Sequence, residues 1–132
     1  MQIWGLTLVN EPHGNGGFWE SMHFTPRSQN AFIKHHLGPA LKDSGHRDIK
    51  LLNYDQNRDD LEPWTDVMFG NPKTAAFVHG AAVHWNSSTF KVYKDVFDIV
   101  HRKFPAFSIV HSEATKTTRS TRRCIATRAT SS

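Results

Sequence analysis

The sequence holds one cysteine, Cys124, in 132 residues. That excludes an internal disulfide and a zinc site built on cysteines. No apolar run approaches the roughly 18 residues that a membrane-spanning helix requires. No leader stands out either. Met1 runs straight into Gln2-Ile3-Trp4-Gly5-Leu6-Thr7-Leu8-Val9, without a basic n-region or a small-residue cleavage site, so no signal peptide is expected. Acidic residues are missing from one stretch. Residues 115–132 contain Lys116, Arg119, Arg122, Arg123 and Arg128 and no Asp or Glu. The formal charge of +4 thus belongs to that stretch, and residues 1–114 are nearly neutral. A basic protein suggests nucleic acid or an anionic membrane as partner. Here the suggestion rests on a tail with no interleaved aromatics and no recognisable binding motif, so no nucleic acid is expected. Contact with membrane lipid by charge alone stays open.

What is present is an alternation of strand-like and helix-like segments. Residues 2–9 are apolar and β-prone and stop at Asn10-Glu11-Pro12. A glycine-rich loop follows, carrying Phe18 and Trp19. Thr25-Pro26 reads as a helix start, with Thr25 as N-cap. Phe32, Ile33, Leu37, Ala40 and Leu41 supply the apolar stripe, and Ser44-Gly45 ends the helix. Residues 49–54 form a second strand, ending at Asp55-Gln56-Asn57-Arg58. Leu61 to Phe69 reads as a helix, and Asn71-Pro72 caps a shorter one through Val78. Residues 81–85 form a third strand. Phe90 to Phe104 reads as an amphipathic helix with Val92, Val96, Phe97 and Val100 on one face. Residues 107–111 form a fourth strand, ending at Ser112-Glu113.

This βαβαβαβ order predicts an α/β fold with a parallel sheet covered by helices. Residues 1–114 form the domain, and the Thr/Ser/Arg-rich residues 115–132 are expected to be disordered. Polar residues collect where strands end, the edge at which parallel α/β proteins bind ligands. Two carboxylates stand there, Glu11 and Glu113. Glycoside hydrolysis needs such a pair, one to protonate the leaving oxygen and one to attack the anomeric carbon or activate water. A solvated loop position for each is the alternative. Asp55 and Arg58 are expected to form a local ion pair. None of the nine histidines forms a metal-like group in the sequence, and His35-His36 is expected to face solvent.

Residues 4–12, Trp4-Gly5-Leu6-Thr7-Leu8-Val9-Asn10-Glu11-Pro12, resemble the acid/base strand of clan A glycoside hydrolases. Phe24-Thr25-Pro26, Leu37-Gly38-Pro39, Asp55-Gln56-Asn57-Arg58, Ala82-Val83-His84-Trp85 and His111-Ser112-Glu113-Ala114 follow in order. Together they resemble glycoside hydrolase family 30, in its glucosylceramidase branch, over residues 2–114. The resemblance implies a partial (β/α)8 TIM barrel, about strands 4 to 7 with their helices. It implies a retaining β-glucosidase acting on glucosylceramide or another β-glucoside, with no metal or cofactor, in a lysosomal or secreted setting. Glu11 matches the acid/base, Glu113 the nucleophile, and Asn10 the residue that bonds the sugar 2-hydroxyl. Trp19 matches a cleft-lining loop, or else anchors that loop on the rim. His84 and Trp85 end a strand beside the substrate, with His84 in a structural role. Asn86 stands where the family has Tyr, a change expected to disturb the hydrogen bonding of the nucleophile. A whole TIM barrel takes about 250 residues, so the chain alone is expected to be inactive. The rival reading is a non-catalytic remnant or interaction module with a basic tail.

Overall fold

A computed structural model describes residues 3–14, 22–88 and 90–114. The expectations for Trp19 and for residues 115–132 lie outside the described residues.

The chain forms β1 (Gly5–Thr7), α1 (Pro26–Phe32), a π-helical turn (Ile33–Leu37), α2 (Gly38–Asp43), β2 (Lys50–Asn57), a 3-10 turn (Arg58–Asp60), α3 (Leu61–Phe69), α4 (Pro72–Ala75), β3 (Val78–His84), α5 (Lys94–Lys103) and β4 (Ser108–Glu113). The four strands are all parallel, in the order β1-β2-β3-β4. This is half of an eight-stranded barrel.

Local chemistry sets the first helix. The Thr25 hydroxyl accepts from the Ser28 N–H at 3.1 Å, and the Thr25 N–H donates to the Ser28 hydroxyl at 2.8 Å. This reciprocal box satisfies two N–H groups that a helix start leaves free. The helix predicted to Ser44 runs that far, but through a wide turn. Pro39 has no N–H and its ring crowds the carbonyl one turn earlier. The chain relieves this by a π turn, in which the Gly38 N–H bonds back to the Ile33 carbonyl. Gly38 also lies against the Phe77 ring, where an added Cβ would come within 2.4 Å.

Several predicted boundaries are corrected: β1 is shorter than the expected residues 2–9, and β2 and β4 run on through Asn57 and Glu113. Val78 does not end α4; it is buried, pairs with Leu51 and opens β3. Val92 does not lie on α5. The Ser88 hydroxyl accepts from the N–H groups of Phe90 and Lys91, a local turn that competes with helix. Tyr93 then takes a left-handed conformation with φ 56°, and α5 begins only after it. Phe90 and Val92 are therefore exposed.

The core lies between the sheet and the helices. Ile33, Leu61, Trp64 and Met68 pack with Leu51, Tyr54, Ala81 and Val83 from the strands, and Val100 joins from α5. Burying each large side chain contributes about 1.5–3 kcal/mol. Phe69 stacks on Phe107 at 4.0 Å, which fixes α3 to the start of β4. With the helices holding one face, the ends of the strands are free to carry polar groups.

Candidate active site

Both sheet pairings at the carboxyl end of β3 contain an extra residue. On β2, Tyr54 pairs with Ala82 and Gln56 with Val83, so Asp55 is the additional one. On β4, His111 pairs with Val83 and Glu113 with His84, so Ser112 is the additional one. Side chains alternate between faces along a strand, and one inserted residue reverses the face of everything after it. The bulge at Ser112 thus puts Glu113 on the same face as His84. Without it, Ser112 would stand opposite His84. Tyr54 and Asp55 both take left-handed conformations, with φ 73° and 62°, the local cost of turning the strand there.

Asp55 is the hub. Its carboxylate accepts from the Thr7 hydroxyl at 2.7 Å, from the Ser112 hydroxyl at 2.6 Å, and from His84 Nε2 at 3.0 Å. One side chain from each of the four strands meets there. Burial pushes the Asp55 carboxyl up. The hydrogen bonds from His84, Ser112 and Thr7 and the charge on His84 outweigh it, and the group titrates below the usual carboxylate range. His84 shows the converse. Burial pulls the imidazole down, but the bond and charge of Asp55, the bond to Glu11 and the charge of Glu113 hold it above the ordinary histidine value. The expected ion pair between Asp55 and Arg58 is not formed. Asp55 is taken by His84, while the buried Arg58 guanidinium lies over the rings of Trp85 and Tyr93 at 5.0 and 5.5 Å and donates to the Ser88 carbonyl at 2.5 Å.

Glu11 follows β1 and Glu113 ends β4. The Glu11 N–H donates to the Asp55 carbonyl at 3.0 Å, and the Gly14 N–H donates to the Glu11 carbonyl at 2.9 Å. These bonds hold Glu11 in a left-handed conformation, φ 47°, in which its Oε1 stands 3.3 Å from His84 Nδ1. A carboxylate oxygen of Glu11, one of Glu113 and a nitrogen of His84 all lie within 4.8 Å of one another. No histidine had metal-like neighbours in the sequence; the fold supplies two to His84. That spacing could take a cation. Both His84 nitrogens already face carboxylates, however, so a cation would have to displace one of these contacts.

Asn86 joins the two carboxylates. Its Nδ2 donates to Glu113 Oε1 at 2.7 Å and lies 3.4 Å from Glu11 Oε1. Its own N–H and that of Ser87 are received by Asn57 Oδ1 at 2.9 Å each. Asn86, the position expected to disturb the hydrogen bonding of Glu113, thus carries a donor that reaches it. Trp85 is 40% exposed beside the cluster, and its backbone N–H donates to the Glu113 carbonyl. Asn10 is exposed, three residues beyond the end of β1. His35 and His36 are exposed on the helix, as expected. Thr7, Ser112 and Asn57 were missed as site residues. Thr7 and Ser112 are hydroxyls set in strands, which was the available signal. Asn57 gave none.

A parallel half-barrel with two carboxylates converging at the carboxyl ends of its strands has the make-up of a glycoside hydrolase. The chain belongs to glycosyl hydrolase family 30: a sequence model of that family's TIM-barrel domain matches residues 1–128. It is 38% identical over 117 residues to the lysosomal acid glucosylceramidase of Mus musculus, covering 86% of this chain and 22% of that protein. It is 32% identical over 116 residues to putative glucosylceramidase 3 of Caenorhabditis elegans, covering 85% and 22%. The chain therefore spans about a fifth of the length of the curated relatives it matches. Among solved structures, SrfJ from Salmonella typhimurium superposes with a TM-score of 0.78 at 19% identity, over 92% of this chain and 27% of that one. The endo-beta1,6-glucanase BT3312 gives 0.71 at 22% identity, over 84% and 24%. These two share the fold.

Proposed function

We propose that this chain carries the two catalytic carboxylates of a retaining β-glucosidase of the glucosylceramidase type, with Glu113 as nucleophile and Glu11 as acid/base. The observation that carries the reading is the approach of the Glu11 and Glu113 oxygens to within 4.8 Å. Retaining enzymes hold their carboxyl groups about 5–5.5 Å apart, and inverting ones leave room for a water between them. In the first step Glu113 bonds to the anomeric carbon while Glu11 gives its proton to the departing oxygen. In the second, Glu11 takes a proton from water, the water oxygen bonds to the anomeric carbon, and Glu113 is released.

The neighbours suit those steps. Asp55 keeps the Nε2 side of His84 engaged, which leaves Nδ1 facing Glu11. An imidazole N–H there would donate to the carboxylate that Glu11 becomes after giving up its proton. Asn86 holds Glu113 in place from the other side. Asn10 and Trp85 are proposed to contact the sugar, Asn10 at its 2-hydroxyl. Glucosylceramide is the substrate that the relatives' names favour, and the lysosomal placement comes with the mouse relative. The chain alone has half of the ring of strands and is proposed to be inactive by itself.

The test is a chimaera in which this chain replaces the matching segment of the mouse relative. The chimaera is expected to hydrolyse a fluorogenic β-glucoside and to release the β-anomer first. Glu113→Gln is expected to abolish turnover and covalent labelling by a 2-deoxy-2-fluoroglucoside. Glu11→Gln is expected to slow substrates with poor leaving groups more than those with good ones. An active chimaera indifferent to Glu113→Gln would sink the assignment.

A further inference from the structure

At the opposite end of the sheet from Glu11 and Glu113 lies a cavity of about 360 Å³. It sits between the last turn of α2, the loop into β2, and the segment from α4 into β3. Four basic side chains line it, Lys42, His46, Arg47 and His79, and no acid does among the described residues. The Phe77 ring, with Leu41, forms an apolar wall.

Basic side chains after a helix often serve its last carbonyls. That work is already done here. The carbonyls of Ala40, Leu41 and Lys42 accept the backbone N–H groups of Ser44, His46 and Gly45. Lys42 and Arg47 form no ion pair among the described residues. The Nδ1 atom of His79 is shut off from solvent and has no hydrogen-bond partner among the described residues. An unsatisfied buried polar atom costs about 1–3 kcal/mol. Burial, and then the charge of Lys50, hold the His79 imidazole below its ordinary value, and an anion beside it would reverse that push. The cavity thus gathers positive charge, an unused polar atom and one flat apolar wall.

We infer that this cavity is a binding site for an organic phosphate, with Lys42 and Arg47 on the phosphate, His79 beneath it and Phe77 against the organic body. Guanidinium and ammonium groups together match a phosphate's charge and oxygens. The phosphate group has two possible sources, a soluble phosphate ester or the headgroup of an anionic lipid. The site is separate from the carboxylate pair and does not depend on it.

The test uses the full 132-residue chain and two probes, β-glycerophosphate and phosphatidylcholine vesicles containing phosphatidylserine. Binding of β-glycerophosphate is followed by the NMR signals of the His79 ring and is expected to be saturable, with an upward shift in the ring's titration. The double variant Lys42→Gln, Arg47→Gln is expected to weaken it at least about tenfold. Ala76→Glu, which brings a carboxylate to the rim from another element, is expected to do the same. Circular dichroism checks that both variants keep the fold. Saturable binding of the ester assigns a soluble ligand. Binding confined to vesicles, kept when residues 115–132 are removed and lost in both variants, assigns a headgroup. Failure of both probes, or binding indifferent to both variants, overturns the site.

Discussion

Asp55 shows how one residue can decide the state of several others. Its partners come from β1, β3 and β4, and it shares a buried charge pair with His84, whose side chain is 1% exposed. Removing one member of such a pair leaves the other uncompensated, at about 3–5 kcal/mol. Asp55→Asn is expected to destabilise the chain by about that much and to lower the titration midpoint of His84, read from its imidazole NMR signals. The pH dependence follows from the two shifts. Asp55 titrates below its unfolded value, so its contribution is present above that value and lost as pH falls through the folded one. His84 titrates above its unfolded value, so its contribution is complete below that value and lost as pH rises through the folded one. The pair therefore stabilises most between about pH 4 and 6.5, and denaturant midpoints measured across pH are expected to peak there. Asn86→Leu removes a donor to a charged oxygen, a bond of about 1.5–3 kcal/mol. In the chimaera it is expected to lower kcat/KM at least about tenfold, and Asn86→Tyr is expected to retain most of the activity. Asp55 was visible in the sequence as a polar group after a strand, but its partner was not. Arg58 is near it in sequence, while His84 is 29 residues away and becomes a neighbour only when β2 and β3 pair.

The elements divide into those that local chemistry dictates and those that packing dictates. Thr25-Pro26 and the segment Leu61 to Phe69 were legible because caps, proline and helical spacing are local signals. A parallel sheet was legible from the alternation, while the succession of its strands came with the resemblance to a barrel family. The π turn and the two bulges were not, because a bulge exists only against a partner strand and leaves no mark on spacing. The bulges place the site all the same, so the carboxylates could be named from sequence before their geometry could. Inserting an alanine between Ser112 and Glu113 is expected to take Glu113 out of its place opposite His84 and to abolish covalent labelling in the chimaera while the chimaera still folds. At Gly38 the packing itself can be tested. Gly38→Ala drives a methyl into the Phe77 ring and is expected to cost about 1–3 kcal/mol. Phe77→Leu, which withdraws the ring, is expected to recover part of that loss in a double-mutant cycle by urea denaturation.

At the scale of the whole molecule, β1 and β4 each have a sheet neighbour on one side among the described residues. Unpaired parallel edges attract further strands. The 132-residue chain on its own is expected to self-associate in light scattering, and a sharp, reversible, monomeric thermal transition would count against this. The four strands also set an order of events in biosynthesis. Thr7, Asp55, His84 and Ser112 are spread over nearly the whole described chain, and a chain made from its N-terminus presents them one at a time. When β2 first docks on β1, Asp55 has only a hydroxyl for company. His84 brings the countercharge with β3, and Ser112 the last bond with β4. The site is thus a property of the joined strands: its parts lie on β1, β2, β3 and β4, and it exists only when all four stand side by side.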